Sequence, residues 1–252
     1  MPVRAVLLDL FDTLVDIHME NLPVVAIGGR RVPSTYGLLH DASVHWHGLD
    51  FDTFAAKLGL VDQSFRDRLR VEHREVATVE RFQAFGRAIG RPSDEMAHAL
   101  TAAHMGELRK HVVLHPHHAE VLARLHRRAR LAVCSNFSHT DTARAVLAEA
   151  GLLTHFDAVV VSMDVGIRKP RAEIFLAALG ALGAEPAEAL HVGDSLDADV
   201  AGAAQLGIRP VWLTRRVRDP RAALEAHRGA RPAHAIADLA ELEAVLAHSD
   251  AA

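Results

Sequence analysis

Residues 5–14 read AVLLDLFDTL, and this stretch decides the fold. An apolar run of strand length ends abruptly at Asp9, and a short polar turn then leads back to apolar residues. A strand buried on both faces of a parallel sheet has this continuous Val/Leu character rather than an alternating pattern. In open α/β sheets, ligands lie just beyond the carboxyl ends of such strands. We therefore place Asp9 where a nucleophilic carboxylate would stand.

Composition limits the class of protein. The chain has 252 residues, half of them hydrophobic, and a net charge of −4, which predicts a well-formed core and no nucleic-acid-binding surface. The single Cys134 lies in an apolar run, so an intramolecular disulfide framework is excluded and a reducing compartment is favoured. The first residues lack a signal-peptide pattern, and no apolar run approaches membrane-spanning length. We expect a cytoplasmic protein without a membrane partner; the sequence carries no signal of oligomeric state.

The segment after the first strand has a different pattern. Residues 24–27 and 30–32 flank Gly28-Gly29, which predicts a short hairpin. From residue 50 to residue 110 the signals are helical. We predict helices over 52–57, ended by Gly59, over 64–89 and over 93–109. This region is predicted to be a helical insert of roughly 90 residues.

From Pro116 onward, strands and helices alternate in the manner of βαβ units. The predicted strands cover 131–134, 158–161, 189–192, 210–213 and 233–236. The predicted helices cover 119–127, 141–149, 172–182, 199–206 and 239–247. The fold class is therefore α/β, a doubly wound parallel sheet interrupted after its first strand by a helical cap. We predict a core of residues 1–16 and 112–252 and a cap of residues 17–111.

Polar residues follow four of the predicted strands. They are Asp9, Ser135-Asn136, the loop carrying Lys169, and Asp194. Right-handed crossovers place all these strand ends on one edge of the sheet, where Asp199 would join Asp9 and Asp194. Crowded carboxylates either take up protons or recruit a cation, and an all-oxygen site suits Mg²⁺. The sequence therefore predicts a magnesium site next to a phosphate-binding lysine.

These residues resemble the four motifs of the haloacid dehalogenase (HAD) superfamily. The matching positions are Asp9 to Thr13, Ser135, Lys169-Pro170, and Gly193-Asp194-Ser195 with Asp199. The resemblance covers both core segments, and the helical insert matches a cap of that family in place and size. It implies a Rossmann-like core and a Mg²⁺-dependent phosphatase acting on a small phosphorylated metabolite.

The resemblance also implies a role for each motif residue. Asp9 would attack phosphorus and become a transient aspartyl-phosphate, and Lys169 would orient Asp9 and neutralise developing charge. Thr13 and Ser135 would hydrogen-bond the phosphoryl oxygens, and Asn136 is a further candidate for substrate binding. The metal ligands would be Asp9, Asp194, Asp199 (directly or through water) and the backbone carbonyl of Phe11. Each assignment is an expectation carried over from the family.

One position departs from the family pattern. The phosphatases of the family usually carry a general acid two residues after the nucleophile, and this chain has Phe11 there. We therefore expect weak activity on unactivated esters, since general acid catalysis contributes about 10²–10⁴-fold. The alternatives are a haloacid dehalogenase, a phosphonate-cleaving hydrolase using Lys57 or Lys110, and a catalytically weakened binding protein.

Histidines are abundant, and two clusters stand out at 45–47 and 115–118. Neither cluster comes with a set of thiolates at the spacing of a zinc site. We therefore interpret both as imidazole-rich surface turns rather than as metal ligands.

Overall fold

The run at the start of the chain forms strand β1 (Ala5–Leu8), in which all four side chains are fully buried. A computed structural model describes residues 2–251, with side chains up to residue 247. The chain divides into two units, Met1–Asp16 with Leu114–Ala252, and Ile17–Val113. Within the described residues, no helix is both long and apolar enough to cross a membrane.

The segment after β1 contains a hairpin and five helices. The elements are β2 (Asp16–Ile17), β3 (Val24–Ile27), β4 (Arg30–Pro33), α1 (Tyr36–His47), α2 (Phe51–Ser64), α3 (Arg66–Arg70), α4 (Thr78–Ala88), α5 (Asp94–Lys110) and β5 (Val112–Val113). Strands β3 and β4 pair antiparallel, and both turn glycines have positive φ angles, 55° at Gly28 and 76° at Gly29. The predicted hairpin is therefore confirmed.

The unit Ile17–Val113 has its own hydrophobic core. Side chains from α1, α2, α4 and α5 form a buried cluster that includes Leu39, Phe54, Phe85 and Met96. The Phe54 and Phe85 rings meet edge to face with centroids 5.0 Å apart. Burial of such aromatic side chains gives this unit a core independent of the sheet.

Two predicted helix boundaries in this unit are wrong. Helix α2 begins after Asp50, whose carboxylate accepts a hydrogen bond from the Thr53 amide at 2.9 Å, and it continues through Gly59. A glycine costs a helix interior only about 1 kcal/mol, and burial of Leu58 and Val61 on either side of it outweighs that cost.

The helix predicted over 64–89 is interrupted by residues 71–77. Within the interruption His73 has a left-handed φ of 52°, and the buried Glu75 side chain accepts a hydrogen bond from the Val76 amide at 2.9 Å. The charged composition of this stretch favours a helix locally, but these contacts end it. Helix α1 was not predicted, because its polar and apolar residues do not form a clear stripe.

The remaining strands and helices alternate as predicted, with two further short helices, at 162–165 and 220–226, that the sequence did not predict. These elements are α6 (His118–His126), β6 (Arg130–Ser135), α7 (Thr140–Glu149), β7 (Ala158–Val161), α8 (Ser162–Val165), α9 (Ala172–Leu182), β8 (Ala189–Gly193), α10 (Gly202–Gln205), β9 (Arg209–Leu213), α11 (Pro220–Ala226), β10 (His234–Ile236) and α12 (Leu242–Ala251). Six strands form one parallel sheet in the order β10-β9-β8-β1-β6-β7. The predicted α/β class with a doubly wound parallel sheet is confirmed.

Helices cover both faces of this sheet. Ala5 and Leu7 belong to a buried cluster with Phe175 of α9, while the alternate residues Val6 and Leu8 are equally buried. Successive side chains of a strand point to opposite faces, so neither face of β1 meets solvent. This double coverage explains why the strand sequence is continuously apolar.

The helix predicted over 199–206 begins earlier, at residue 196, and its first turn is wider than an α-helical turn. Residues 196–201 make a π-type turn, in which the Val200 amide donates to the Ser195 carbonyl five residues back at 3.1 Å. The Ser195 hydroxyl caps this turn by accepting from the Ala198 amide at 3.1 Å. Asp199 thus lies inside the turn, which directs its side chain back toward β8. Single-turn π segments of this kind are frequent at functional sites.

Candidate active site

The strand ends of the sheet surround one small cavity of about 160 Å³. Its lining residues are Asp9, Phe11, Ser135, Asn136, Lys169, Asp194, Ser195, Ala198 and Asp199. The register of the sheet explains the convergence, because Asp9 directly follows β1 and its amide donates to the Val192 carbonyl of β8 at 2.9 Å. Of the residues expected at the site, Thr13 alone is outside this lining.

Lys169 lies between two of the carboxylates. Its ammonium group donates to Asp9 Oδ1 at 2.7 Å and to Asp199 Oδ1 at 2.6 Å, and its side chain is 2% exposed. Burial alone would favour the neutral amine, but Asp199 and Asp9 raise the pKa of Lys169 above its usual range. The lysine is therefore a fixed positive charge at the floor of the cavity.

Asn136 holds the backbone of Lys169 in place. Its amide nitrogen donates to the Lys169 carbonyl at 3.0 Å, and its amide oxygen accepts from the Lys169 amide at 2.7 Å. Both polar groups of the side chain are thereby engaged with the protein. The substrate-binding role expected from the sequence stays a prediction, since Asn136 also lines the cavity.

Asp199 is the most heavily bonded carboxylate of the site. Besides Lys169, its Oδ1 accepts from His191 Nε2 at 2.8 Å, and its Oδ2 accepts from the Ser195 amide at 3.0 Å. Burial disfavours its charge, but Lys169 and His191 hold the pKa of Asp199 far below its usual range. A Cβ atom at residue 193 would lie 2.2 Å from Asp199 Cγ, so only glycine fits there.

His191 was not identified from the sequence. It lies in the middle of β8 with no exposed surface, and its ring is bonded to Asp199. The available signal was a polar residue inside an apolar strand, since a buried histidine needs a hydrogen-bond partner. Burial lowers the pKa of His191, although Asp199 opposes the shift, so the ring acts as a neutral donor.

Asp194 also lines the cavity, and among the residues whose side chains are described it forms no ion pair. Burial first, and then the charges of Asp9, Asp199 and Asp12, raise the pKa of Asp194 to about 7. One oxygen from each of Asp9, Asp194 and Asp199 lies within 4.8 Å of the others. A crowded, all-oxygen donor set of this kind fits Mg²⁺, which would relieve the repulsion that raises this pKa.

Two hydroxyl residues of the site are buried. Ser135 ends β6 and lines the cavity, and Thr13 has no exposed surface. Thr13 Oγ1 has no hydrogen-bond partner in the described part of the chain. Leaving a buried hydroxyl unpaired costs about 1–3 kcal/mol of stability. We infer that the Thr13 hydroxyl is available to donate a hydrogen bond to an added acceptor.

The loop after Asp9 places an aromatic ring at position 11. The Phe11 ring packs against Phe137 with centroids 4.6 Å apart. The next residue, Asp12, has a left-handed φ of 59° and forms an ion pair with Arg216 at 3.2 Å. Phe137 was not identified from the sequence; its backbone amide donates to Ser162 Oγ at 2.9 Å.

A profile of the haloacid dehalogenase-like hydrolase family matches residues 3–207. The chain belongs to the haloacid dehalogenase-like hydrolase family. This confirms the family resemblance inferred from the sequence motifs. A phosphoserine phosphatase from Thermus thermophilus is 41% identical to this HAD-like chain over 143 residues, 56% of each protein. A ribulose-1,5-bisphosphate 5-phosphatase from Halopiger xanaduensis is 31% identical over 177 residues, 65% of this chain and 70% of that protein.

The matched region thus spans little more than half of the first relative's length.

Solved structures of the family share the fold. An HAD phosphatase from Thermococcus onnurineus superposes with a TM-score of 0.65 at 23% identity, covering 97% of this chain and 98% of its own. A 2-haloacid dehalogenase from Pseudomonas syringae gives a TM-score of 0.68 at 23% identity, covering 98% and 99%. Similarity at this level of identity describes the architecture alone.

Proposed function

We propose that this chain is a Mg²⁺-dependent phosphatase that hydrolyses a small phosphorylated metabolite through an aspartyl-phosphate on Asp9. The observation that carries the proposal is the arrangement around Lys169. This lysine bonds Asp9 and Asp199, while the pKa of the nearby Asp194 is raised to about 7. That arrangement would supply a nucleophile, a fixed cation and a metal site within one cavity. The relatives named as phosphatases support the same reaction class.

The first step is nucleophilic attack by Asp9. Lys169 bonds Asp9 Oδ1 at 2.7 Å and so fixes the carboxylate, and we assign the attack on phosphorus to Oδ2. The new O–P bond forms as the bond to the leaving alkoxide breaks, and the alkoxide takes up a proton from solvent water. Water then hydrolyses the aspartyl-phosphate, which releases phosphate and regenerates Asp9.

The remaining residues stabilise the charge of the transferring group. The ammonium of Lys169 offers a fixed positive charge, and the hydroxyls of Thr13 and Ser135 would donate to phosphoryl oxygens. Asp9, Asp194 and the Phe11 carbonyl would hold Mg²⁺, which when bound supplies Lewis-acid charge neutralisation. Asp199 has both oxygens bonded within the protein, so we assign it chiefly to holding Lys169 and the turn at 193–195.

Phe11 leads to a further expectation about the substrate. A phenyl ring cannot donate a proton, and the neighbouring Asp12 is paired with Arg216. We therefore propose that the enzyme works best on phosphate esters with good leaving groups and poorly on alkyl phosphates. The unit Ile17–Val113 is proposed to be the cap that selects the substrate.

Phe11 also favours a second candidate, dehalogenation, because a halide leaves without a proton. The acidic cluster opposes this candidate, since displacement of a halide by Asp9 needs no cation. Phosphonate cleavage would require a Schiff base on Lys57 or Lys110, and the Lys110 ammonium instead donates to Glu107 at 2.8 Å.

The proposal is tested by a screen of phosphate esters, 2-haloacids and phosphonates, each with Mg²⁺ and with chelator. We expect hydrolysis of phosphate esters only, abolished by chelator and by Asp9→Asn. Turnover of 2-haloacids that persists in chelator would establish dehalogenation instead. Borohydride trapping of substrate on a lysine would establish phosphonate cleavage, and Mg²⁺ binding without any turnover would indicate a binding protein.

A further inference from the structure

Two histidines and an aspartate meet at the start of α6, outside the cavity described above. One ligand atom from each of His117, His118 and Asp238 lies within 4.8 Å of the others. His117 Nε2 is 3.1 Å from both carboxylate oxygens of Asp238, which comes 121 residues later in the chain. These three residues bring together the first turn of α6 and the turn that precedes α12.

One ring nitrogen of His118 is buried and unpaired. Its side chain has no exposed surface, contrary to the surface turn predicted from the sequence. Its Nδ1 lies 2.8 Å from the Leu14 carbonyl, which can only accept, so Nδ1 carries the proton and Nε2 bears a lone pair. Nε2 is buried and has no hydrogen-bond partner among the described residues.

This pairing is the one that metal-binding histidines adopt, in which the other ring nitrogen donates to a backbone carbonyl. Burial lowers the pKa of His118 to about 4, with smaller contributions from His115 and Arg215, although the Leu14 carbonyl opposes the shift. Arg215 is neutralised by its ion pair with Asp16 at 2.5 Å.

The carboxylate of Asp238 is also oriented in advance. It caps the turn at 239–241 by accepting from the Ala240 amide at 2.8 Å, and Glu241 completes a capping box. Burial opposes ionisation, but this bond and His117 hold the pKa of Asp238 below its usual value. Ligands fixed by such backbone bonds lose little freedom when they bind an ion.

We propose that His117, His118 and Asp238 form a second metal site, selective for a divalent transition ion of the Zn²⁺ class. Two imidazoles and one carboxylate suit Zn²⁺, whereas Mg²⁺ prefers an all-oxygen set. Ligand atoms about 2.0–2.1 Å from a tetrahedral ion stand roughly 3.3–3.5 Å apart, so atoms that already lie within 4.8 Å of one another need to close by about 1.5 Å at most. His117 is 47% exposed and can make this rotation.

Metal binding by His117, His118 and Asp238 would stabilise the loop that follows Asp9. Through the His118–Leu14 bond the ion would connect the end of that loop to α6 and to the turn before α12. The inference does not depend on the proposed phosphatase reaction, because it rests on residues outside the cavity.

The test is zinc binding to the untagged protein, measured by competition with a chromogenic chelator while excess Mg²⁺ occupies the acidic cluster. We expect one tight equivalent of Zn²⁺ and a rise in Tm on its addition. His117→Gln and Asp238→Asn should each weaken the tight equivalent at least tenfold. Both changes preserve folding, since His117 is exposed and asparagine also caps helical turns.

The matched control is His126→Gln. His126 lies on the same helix and pairs with Asp157 at 3.6 Å. This pair therefore combines an imidazole and a carboxylate, as the proposed site does, but lacks a second imidazole. We expect this variant to bind Zn²⁺ as the wild type does. The proposal is overturned if the wild type and the three variants bind Zn²⁺ with equal affinity, or if the wild type has no tight equivalent. It is also overturned if the tight equivalent is lost only in Asp194→Asn.

Discussion

Replacing Phe11 by aspartate tests what limits this enzyme. The substitution removes a ring that contacts Phe137 with a centroid distance of 4.6 Å, and loss of such a pair costs about 0.5–1.5 kcal/mol of stability. The new carboxyl group would join Asp9, Asp12 and Asp194, whose charges would raise its pKa. A raised pKa is what a general acid needs near neutral pH.

The gain in kcat/KM from Phe11→Asp should depend on the leaving group of the substrate. General acid catalysis contributes about 10²–10⁴-fold, and it matters most where the leaving alkoxide is strongly basic. We expect Phe11→Asp to raise kcat/KM for alkyl phosphates by about that factor and to leave nitrophenyl phosphate nearly unchanged. A plot of log kcat/KM against leaving-group pKa should therefore become flatter in the variant.

Phe11→Asn is the matched control, because it has the size of aspartate and cannot donate a proton. It should lose the same packing and keep the steep dependence of the wild type. The reasoning is refuted if the aspartate and asparagine variants show the same profile, or if alkyl phosphate turnover is unchanged or lower in Phe11→Asp.

Four further expectations concern the residues around the cavity. Mg²⁺ affinity, measured by calorimetry, should fall about tenfold per pH unit below pH 7, because the ion must displace the proton from Asp194, whose pKa is about 7. For the same reason the metal-free protein should lose stability as the pH rises from about 4 to about 7, and Asp194→Asn should remove both effects. Lys169→Met leaves Asp199 buried beside a second carboxylate without a counter-ion, so urea denaturation at pH 7 should show a loss of about 3–5 kcal/mol; unchanged stability would contradict the buried ion pair. Gly193→Ala should destabilise the fold and abolish activity, since its Cβ would meet Asp199 at 2.2 Å, whereas the helical Gly180→Ala, with open space, should be neutral or stabilising.

The sheet and its polar edge were predictable because a buried parallel strand leaves a local signature. The core strands are largely apolar runs, and two of the carboxylates directly follow one, Asp9 after β1 and Asp194 after β8. The helices of the second unit were less predictable, because the break at 71–77 depends on His73 and on the buried Glu75 rather than on helix propensity.

The division of labour among the site residues could not be predicted from the sequence. Asp199 is similar in type and position to a metal ligand, but its oxygens bond Lys169, His191 and the Ser195 amide. The side-chain amide of Asn136 bonds the backbone of Lys169, which lies 33 residues away, and its expected role in substrate binding stays a prediction. Such contacts join distant segments, and spacing along the chain does not record them.

The most direct test of the mechanism is to trap the phosphoryl group on Asp9. The enzyme is mixed with nitrophenyl phosphate and Mg²⁺, quenched within milliseconds, reduced with borohydride and digested for mass spectrometry. We predict that residue 9 is converted to homoserine, that Asp12→Asn is labelled equally, and that Asp9→Asn is not labelled. Turnover of the ester without any modification at residue 9, or with label at Asp12, would contradict the account.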